Sequence, residues 1–175
     1  GHRPKRLVLS ASTEFTLDSD QVSAASDLVV IGNPTNPTGV LHPAAVITAL
    51  RRPGRILVVD EAFMDCVPGE TETMIGDEMT GLLVLRSLTK TWGLAGLRAG
   101  YVIGDPRLIA AMQRQQPAWA VSTPALAATA GCLTPAARIA AAEAAQQIAT
   151  QRGYLVGQLA QLGLSTADID LIAFD

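Results

Sequence analysis

The sequence of 175 residues is short of aromatic side chains, which make up 4% of it, and of charge, since 17% of its residues are Asp, Glu, Lys or Arg. Apolar residues nevertheless account for 49%, and most of them are Ala, Leu and Val. That fraction is too high for a disordered chain, and the length fits about one domain. With so few rings the core must be aliphatic, which favours layered helices and sheet over a small sandwich built around Trp and Tyr.

Cysteine and histidine are also scarce, with two of each. Cys66 and Cys132 stand apart, without a C-x-x-C pair, and His2 and His42 are the histidines that could join them around a metal. The sequence therefore supports neither a disulfide scaffold nor a zinc site. Both cysteines are predicted to be buried small side chains.

Long basic runs and long uninterrupted apolar runs are missing as well. The formal net charge is -3 and no basic run is longer than two residues, so we expect no nucleic-acid surface. The longest uncharged stretch, residues 115–137, could span a bilayer by length, but Pro117, Pro124 and Pro135 interrupt it, so we expect no membrane helix. The first residues carry no basic and apolar leader, which predicts a cytoplasmic protein.

What the sequence does contain is a series of short, continuous apolar runs rich in β-branched residues. Such runs are typical of strands covered on both faces in a parallel sheet. Segments with helical spacing that begin with a proline in the first turn lie between the first two runs and after the last one. The strands are predicted at 28–31, 56–59, 82–85 and 101–103, and the helices at 43–52, 106–115 and 135–163.

This order of elements predicts an α/β fold, namely a three-layer, mainly parallel sheet followed by C-terminal helices. We expect residues 1–133 to form the sheet-containing core and residues 134–175 a helical segment. In the long helix, four apolar residues fall on one face: Ile148, Leu155, Leu159 and Leu162. The last residues, Ser165 to Asp175, are weakly patterned.

Polar residues follow three of the predicted strands. They are the segments Asn33–Gly39, Asp60–Phe63 and Arg86–Lys90. Because ligands bind outside the carboxyl ends of strands in open parallel sheets, an amide, a carboxylate and an amine would meet at one edge.

Each of these residues also has a purely structural interpretation. Asn33 and Asn36 stand next to prolines and are common turn formers. Asp60 could cap a turn, and Glu61 and Lys90 could be solvated surface residues. Their joint placement after consecutive strands is what favours a ligand site.

Three motifs carry a resemblance to a known family. They are NPTNPTG (33–39), VVDEAF (58–63) and SLTKTWGLAGLRAGY (87–101). In this order and at this spacing, they resemble the pyridoxal-phosphate (PLP) enzymes of fold type I, the aspartate aminotransferase superfamily. The resemblance implies the large-domain fold of that superfamily, with residues 1–133 as its cofactor-binding core and residues 134–175 leading toward the small domain.

The resemblance also implies roles for individual residues. Lys90 would form the Schiff base with the cofactor and move the proton during catalysis. Asp60 would pair with the pyridine nitrogen and keep it protonated, and Asn36 would donate to the 3-oxygen of the ring. Ser87 and Arg98 would bind the cofactor phosphate, the guanidinium through parallel hydrogen bonds.

Phe63 departs from most aminotransferases, many of which have a tyrosine at this place whose hydroxyl bonds the ring 3-oxygen. The string DEAFMDCVP, which includes Phe63 and Asp65, is similar to the motif of L-threonine O-phosphate decarboxylases of cobalamin synthesis. The remaining motifs resemble the branch that these enzymes share with histidinol-phosphate aminotransferases. We therefore expect decarboxylation of threonine phosphate, a small phosphorylated amino acid. The alternative is an aminotransferase that acts on histidinol phosphate or a similar amino acid.

The length sets a further expectation, because complete members of this superfamily are about twice as long. The segments expected to be missing bind part of the cofactor phosphate, stack on its ring and hold the substrate carboxylate. The complete protein is expected to be a homodimer. A hypothesis of another class is that the 175-residue chain alone is a catalytically incompetent core with an exposed apolar face.

Overall fold

The computed structural model of the protein describes residues 4–164. It has four strands and four α-helices, of which the first helix lies between the first two strands and the other three helices follow the last strand. The strands are β1 (Leu28–Gly32), β2 (Ile56–Asp60), β3 (Leu82–Ser87) and β4 (Gly100–Gly104). The helices are α1 (Ala44–Thr48), α2 (Pro106–Gln113), α3 (Thr123–Cys132) and α4 (Pro135–Gln161).

The strands form one sheet in the order β1-β2-β3-β4. Strands β1, β2 and β3 run parallel, and β4 is antiparallel to β3. The predicted α/β class with a mainly parallel sheet is confirmed, and so are all four predicted strands. The register sets Gly32 beside Asp60 and Asp60 beside Leu85, so the carboxyl ends of the parallel strands meet at one edge.

The two faces of the sheet are covered to different extents. Leu57 and Val59 of β2, with Leu82 and Val84 of β3, lie in a buried core on one face, where Ile47 of α1 packs against them. On the other face, Val30 of β1 is 65% exposed. Because strand side chains alternate, the residues one position after Val59 and Val84 lie on the less covered face, and the residues two positions after them lie on the covered face.

Gly104 is required where β4 crosses β3. A Cβ atom there would contact the carbonyl oxygen of Leu82 more closely than real Cβ atoms ever do. The two backbones can therefore pair in this register only while position 104 has no side chain.

Helices α2, α3 and α4 begin in the same way. Each has a proline in its first turn and a capping side chain, from Asp105, Ser122 and Thr134 respectively, that accepts a backbone N–H. Helix α3 was not among the predicted elements, and α1 is shorter than its predicted range.

Helix α4 lies largely in solvent. Of its 27 residues, Ala145 alone is buried in the described structure. Ile148, Leu155 and Leu162, on the predicted apolar face and just after the helix, are 39%, 47% and 74% exposed. The helix contacts the short 3-10 turns Met64–Cys66 and Pro68–Glu70.

Two further expectations concern the ends and the cysteines. Residues 165–175, part of the predicted 134–175 segment, lie outside the described residues, and the division at 133/134 stays a prediction. Cys66 and Cys132 are free but half-buried, so the prediction of full burial was wrong.

No single helix within 4–164 has the length and apolarity to cross a membrane, although α3 and α4, bent by 74°, meet that criterion as a pair.

Candidate functional site

A cleft of about 250 Å³ opens at the carboxyl ends of β1 and β2. Its lining includes Asn36, Asp60 and Phe63, three of the residues predicted for the site. The parallel register explains this, because β1 and β2 end side by side and the loops that follow them turn toward the same edge.

Asp60 is the last residue of β2 and is exposed on the less covered face of the sheet. Its Oδ1 atom accepts a hydrogen bond from the backbone N–H of Ala62 at 3.1 Å. The capping interpretation therefore holds, and it leaves Oδ2 without a hydrogen bond inside the described structure. A carboxylate that is oriented by one oxygen and open at the other can receive a donor from a ligand.

Lys90 lies in the turn after β3 and reaches toward the same cleft. Its Nζ atom is 5.4 Å from the centroid of the Phe63 ring. That distance is within the range of a cation–π contact. The exposed ammonium is thus held beside the cleft by an aromatic face that offers it no competing hydrogen bond.

Ser87 ends β3 on the same face as Asp60, since Asp60 pairs with Leu85 and Ser87 is two residues further along. Arg98 occupies the left-handed region, with φ of 53°, which is uncommon for a residue with a side chain and is often found at functional sites. Its guanidinium contacts only the carbonyl of Ala95, at 3.4 Å, within residues 4–164. The cleft is lined by Asn36, Asp60 and Phe63, and Lys90 is joined to it through the Phe63 ring. Ser87 and Arg98 do not line the cleft and lie at its periphery.

A buried amide supports the loop that carries Asn36. Asn33 is fully buried; its Nδ2 donates to the carbonyl of His42 at 3.1 Å and its Oδ1 accepts from the His42 N–H at 2.8 Å. The His42 ring lies 3.2 Å from the Thr35 hydroxyl. Because that hydroxyl donates to the Gly32 carbonyl, the ring must donate to it through Nε2. Burial lowers the pKa of His42, so the loop is built on a neutral ring.

Glu61 is fully buried, so its interpretation as a solvated residue was wrong. Its carboxylate accepts from Thr73 Oγ1 at 2.7 Å and from the Met74 N–H at 2.6 Å. It also lies 3.0 Å from Nε of Arg86, which is itself buried. That N–H is not aimed at the carboxylate, so the contact is an ion pair without a hydrogen bond.

Arg86 makes two further ion pairs, with Asp65 at 2.7 Å and with Glu70 at 2.6 Å. The sequence reasoning gave Arg86 no role. The signal was present in the alternation of β3, which places Arg86 on the covered face beyond Leu82 and Val84, where a cation needs a buried partner. Burial raises the pKa of Asp65, and the Arg86 charge opposes that rise.

Comparison with known proteins places this geometry in a family. Residues 4–172 match the model of the class I and II aminotransferases. A histidinol-phosphate aminotransferase of Mycobacterium tuberculosis is 49% identical over 154 residues, which cover 88% of this chain and 42% of that protein. A threonine-phosphate decarboxylase of Pseudomonas aeruginosa is 40% identical over 123 residues, which cover 68% of this chain and 35% of that protein.

Solved structures share the fold. The aspartate aminotransferase of Thermus thermophilus with maleate matches with a TM-score of 0.69 at 25% identity, over 89% of this chain and 44% of that one. A decarboxylase from Sulfurospirillum multivorans matches with a TM-score of 0.74 at 21% identity, over 88% and 48%, a likeness of fold alone. The predicted fold class is confirmed, and the chain spans less than half the length of these relatives.

Proposed function

Since the chain belongs to the class I and II aminotransferases, whose members are pyridoxal-phosphate enzymes, we propose that it forms the cofactor-facing core of such an enzyme with Lys90 as the attachment residue. The observation that carries this proposal is the position of the Lys90 amine over the Phe63 ring, beside a cleft that contains Asp60.

The residues present fit PLP chemically. A primary amine, a carboxylate with one free oxygen and an amide lie around one cleft, and a hydroxyl and an uncommitted guanidinium lie at its periphery. These groups match an aldehyde, a pyridine nitrogen, a ring oxygen and a phosphate. Lys90 would hold the aldehyde carbon, Asp60 the ring nitrogen, Asn36 the 3-oxygen, and Ser87 with Arg98 the phosphate.

When bound, PLP supplies a ring that accepts the electron pair left on the substrate α-carbon. The carboxylate of Asp60 keeps a proton on the ring nitrogen and so maintains that capacity. The amine of Lys90, once released, takes or returns a proton at the α-carbon. The Phe63 ring excludes water from one side of the amine without binding its proton.

For the substrate we propose an amino compound that carries a phosphate ester, with aminotransfer as the reaction. Its support is the 49% identity to a relative named histidinol-phosphate aminotransferase, which extends over nearly the whole chain. Aminotransfer would require Lys90 to move a proton from the substrate α-carbon to the former aldehyde carbon of PLP, which is bonded to the substrate nitrogen.

Decarboxylation of L-threonine O-phosphate, a step of cobalamin synthesis, is the second candidate. Phe63 favours it, because the ring that faces Lys90 has no hydroxyl to donate to the 3-oxygen, as in the motif noted above. A relative named threonine-phosphate decarboxylase is 40% identical. In that reaction the bond to the carboxylate breaks, and Lys90 has only to protonate the α-carbon.

The two reactions are separated by their products, with the full-length protein that contains this chain. Incubation with PLP, histidinol phosphate and 2-oxoglutarate should yield glutamate, whereas L-threonine O-phosphate without a keto acid should yield carbon dioxide if the second candidate is right. Histidinol and threonine without phosphate serve as substrate controls. Lys90→Ala must abolish either product and Lys5→Arg must not; product from the Lys90 variant would refute the proposal.

We propose further that the full-length protein is a cytoplasmic homodimer. Exposed apolar residues of α3, of α4 and of the turn between them support burial of this face in the complete protein; they include Leu126, Leu133 and Ile139, at 57%, 62% and 62% exposure. Sedimentation of the full-length protein at micromolar concentration should give twice the monomer mass. Formation of either product by the full-length protein but not by the 175-residue chain would favour the alternative that this chain alone is catalytically incompetent.

A further inference from the structure

The turn that carries Lys90 contacts the segment Phe63–Cys66 at two successive residues. Lys90 lies over the Phe63 ring, and the Thr91 hydroxyl donates to Oδ2 of Asp65 at 3.4 Å. The second contact is long for an O–H···O bond, and the negative charge on its acceptor strengthens it. The side chains of Lys90 and Thr91 thus contact Phe63, which caps the short 3-10 turn Met64–Cys66, and Asp65, which lies within it.

The Asp65 carboxylate is fixed from its other oxygen. Oδ1 accepts from Nη1 of Arg86 at 2.7 Å, and the Asp65 side chain is 17% exposed. Arg86 in turn is held by Glu61 and Glu70, and α4 contacts the Met64–Cys66 turn. One carboxylate therefore connects the rigid, buried end of β3 to the residue that follows Lys90.

The other contacts of the turn are made by its backbone and by residues before Lys90. Thr89 donates its N–H to Ser87 Oγ at 3.1 Å and its hydroxyl to the Ala99 carbonyl at 3.5 Å. On the other side, the Gly93 N–H donates to the Lys90 carbonyl at 3.3 Å and the Leu94 N–H to the Thr89 carbonyl at 3.0 Å, while the Lys90 side chain is exposed. Leu88 and Trp92 pack in a second cluster with Ala125 of α3, which holds the two ends of the turn but not its middle. Thr91 lies between those anchors.

We propose that Asp65 is a positioning residue for Lys90, acting through the Thr91 hydroxyl while Arg86 fixes its other oxygen. This inference rests on the proposed function, in that the position of the Lys90 amine matters because PLP is attached there. When the turn is already ordered, the Lys90 amine can attack the PLP aldehyde without a prior ordering step. The rate of attachment therefore depends on the Asp65–Thr91 contact.

Glu70 offers a matched control for Asp65. Both carboxylates pair with Arg86 at nearly the same distance, but Glu70 has no contact with Thr91. Glu70→Gln thus removes an Arg86 partner and leaves the Lys90 turn alone, while Asp65→Asn weakens both. Thr91→Val removes only the hydroxyl and keeps the shape, and Thr91→Ser restores it without disturbing the Arg86 cluster.

Two measurements test the proposal on the full-length protein that contains this chain. Without PLP, amide hydrogen exchange at Gly93 and Leu94 reports opening of the turn. With PLP, growth of the visible absorbance band gives the rate of attachment at Lys90, and borohydride with peptide mapping identifies the site. We expect Thr91→Val and Asp65→Asn to speed exchange and slow attachment by about three- to tenfold, the size of one hydrogen bond. Thr91→Ser should restore both, and Glu70→Gln should change neither.

The outcomes separate this inference from the function on which it rests. Equal amide exchange at Gly93 and Leu94 in Thr91→Val and in the unaltered protein would overturn the positioning role. An effect of Glu70→Gln on exchange or attachment as large as that of Asp65→Asn would also overturn it. If PLP attaches to Lys90 at the same rate in the unaltered protein and in Thr91→Val, the positioning role is also overturned, and the proposed function still stands. Absence of attachment in the unaltered full-length protein would overturn the proposed function, whereas the exchange measurement, made without PLP, would still decide whether Asp65 and Thr91 order the turn.

Discussion

Replacing Arg86 by methionine should strongly destabilise the fold, because the buried carboxylate of Glu61 would lose its cation. Glu61 is fully buried and Arg86 is 6% exposed, so neither charge can turn to solvent. Methionine fills much of the space of the arginine stem, which keeps the loss of packing small. The main effect of Arg86→Met is thus electrostatic.

The three carboxylates around Arg86 contribute unequally to that effect. Glu70 is 43% exposed at its side chain, and an ion pair of that kind is worth about 0–1 kcal/mol. Removing one partner of a buried pair costs about 3–5 kcal/mol, since the other charge stays buried without compensation. We therefore expect Arg86→Met to lower the free energy of unfolding by about 3–5 kcal/mol, and Glu70→Gln by about 1 kcal/mol or less.

Urea unfolding followed by circular dichroism measures these differences, provided that the slope of free energy against urea is unchanged. A double variant with Glu61→Gln isolates the buried pair, because the charge that Arg86→Met leaves behind is then absent. The double variant should be more stable than the sum of the single losses predicts, by about 1–3 kcal/mol. Additive losses, or a cost of Arg86→Met no larger than that of Glu70→Gln, would refute the reasoning.

Three further predictions concern the scaffold of the site. Gly104→Ala should cost about 1–3 kcal/mol of unfolding free energy in the same assay, since its Cβ meets the carbonyl oxygen of Leu82; an unchanged urea midpoint would contradict this. Asn33→Ala should cost about 1–3 kcal/mol by leaving the buried N–H of His42 without an acceptor, whereas the exposed neighbour change Asn36→Ala should cost much less. Burial lowers the pKa of His42, so the unfolded chain binds a proton first as pH falls below about 6.5, and stability should decline there in the unaltered chain but not in His42→Gln. An identical pH profile for the two proteins would show that His42 is not the source.

The strands could be read from the sequence because each is a continuous apolar run, and burial of such a run on both sides leaves few alternatives. The direction of β4 could not, since an apolar run at 101–103 looks the same in either orientation. Residues 88–99 return the chain to the edge of β3, and the antiparallel pairing seen there requires Gly104 in place of a residue with a side chain. Helix α3, which was not predicted, has the same Ser/Thr and proline start as α4, so that signal could have identified it.

The site divides in the same way. Asn36, Asp60 and Lys90 could be selected as candidates because they follow apolar strands or belong to motifs, and local sequence holds that information. The Arg86 cluster depends on the register of β3 and on a loop that returns Asp65, Glu70 and Thr73 to it from more than ten residues away. Alternation could have marked Arg86 as buried, but its partners follow only from the tertiary structure.

The central claim is that Lys90 is the residue that holds PLP, and the chain allows a direct test because it contains just two lysines, Lys5 and Lys90. The 175-residue chain is mixed with PLP, reduced with borohydride, digested and mapped by mass spectrometry. The account predicts one pyridoxyl adduct on Lys90, none on Lys5, and loss of the visible absorbance band in Lys90→Ala. An adduct on Lys5 alone, or a band that persists in Lys90→Ala, would contradict it.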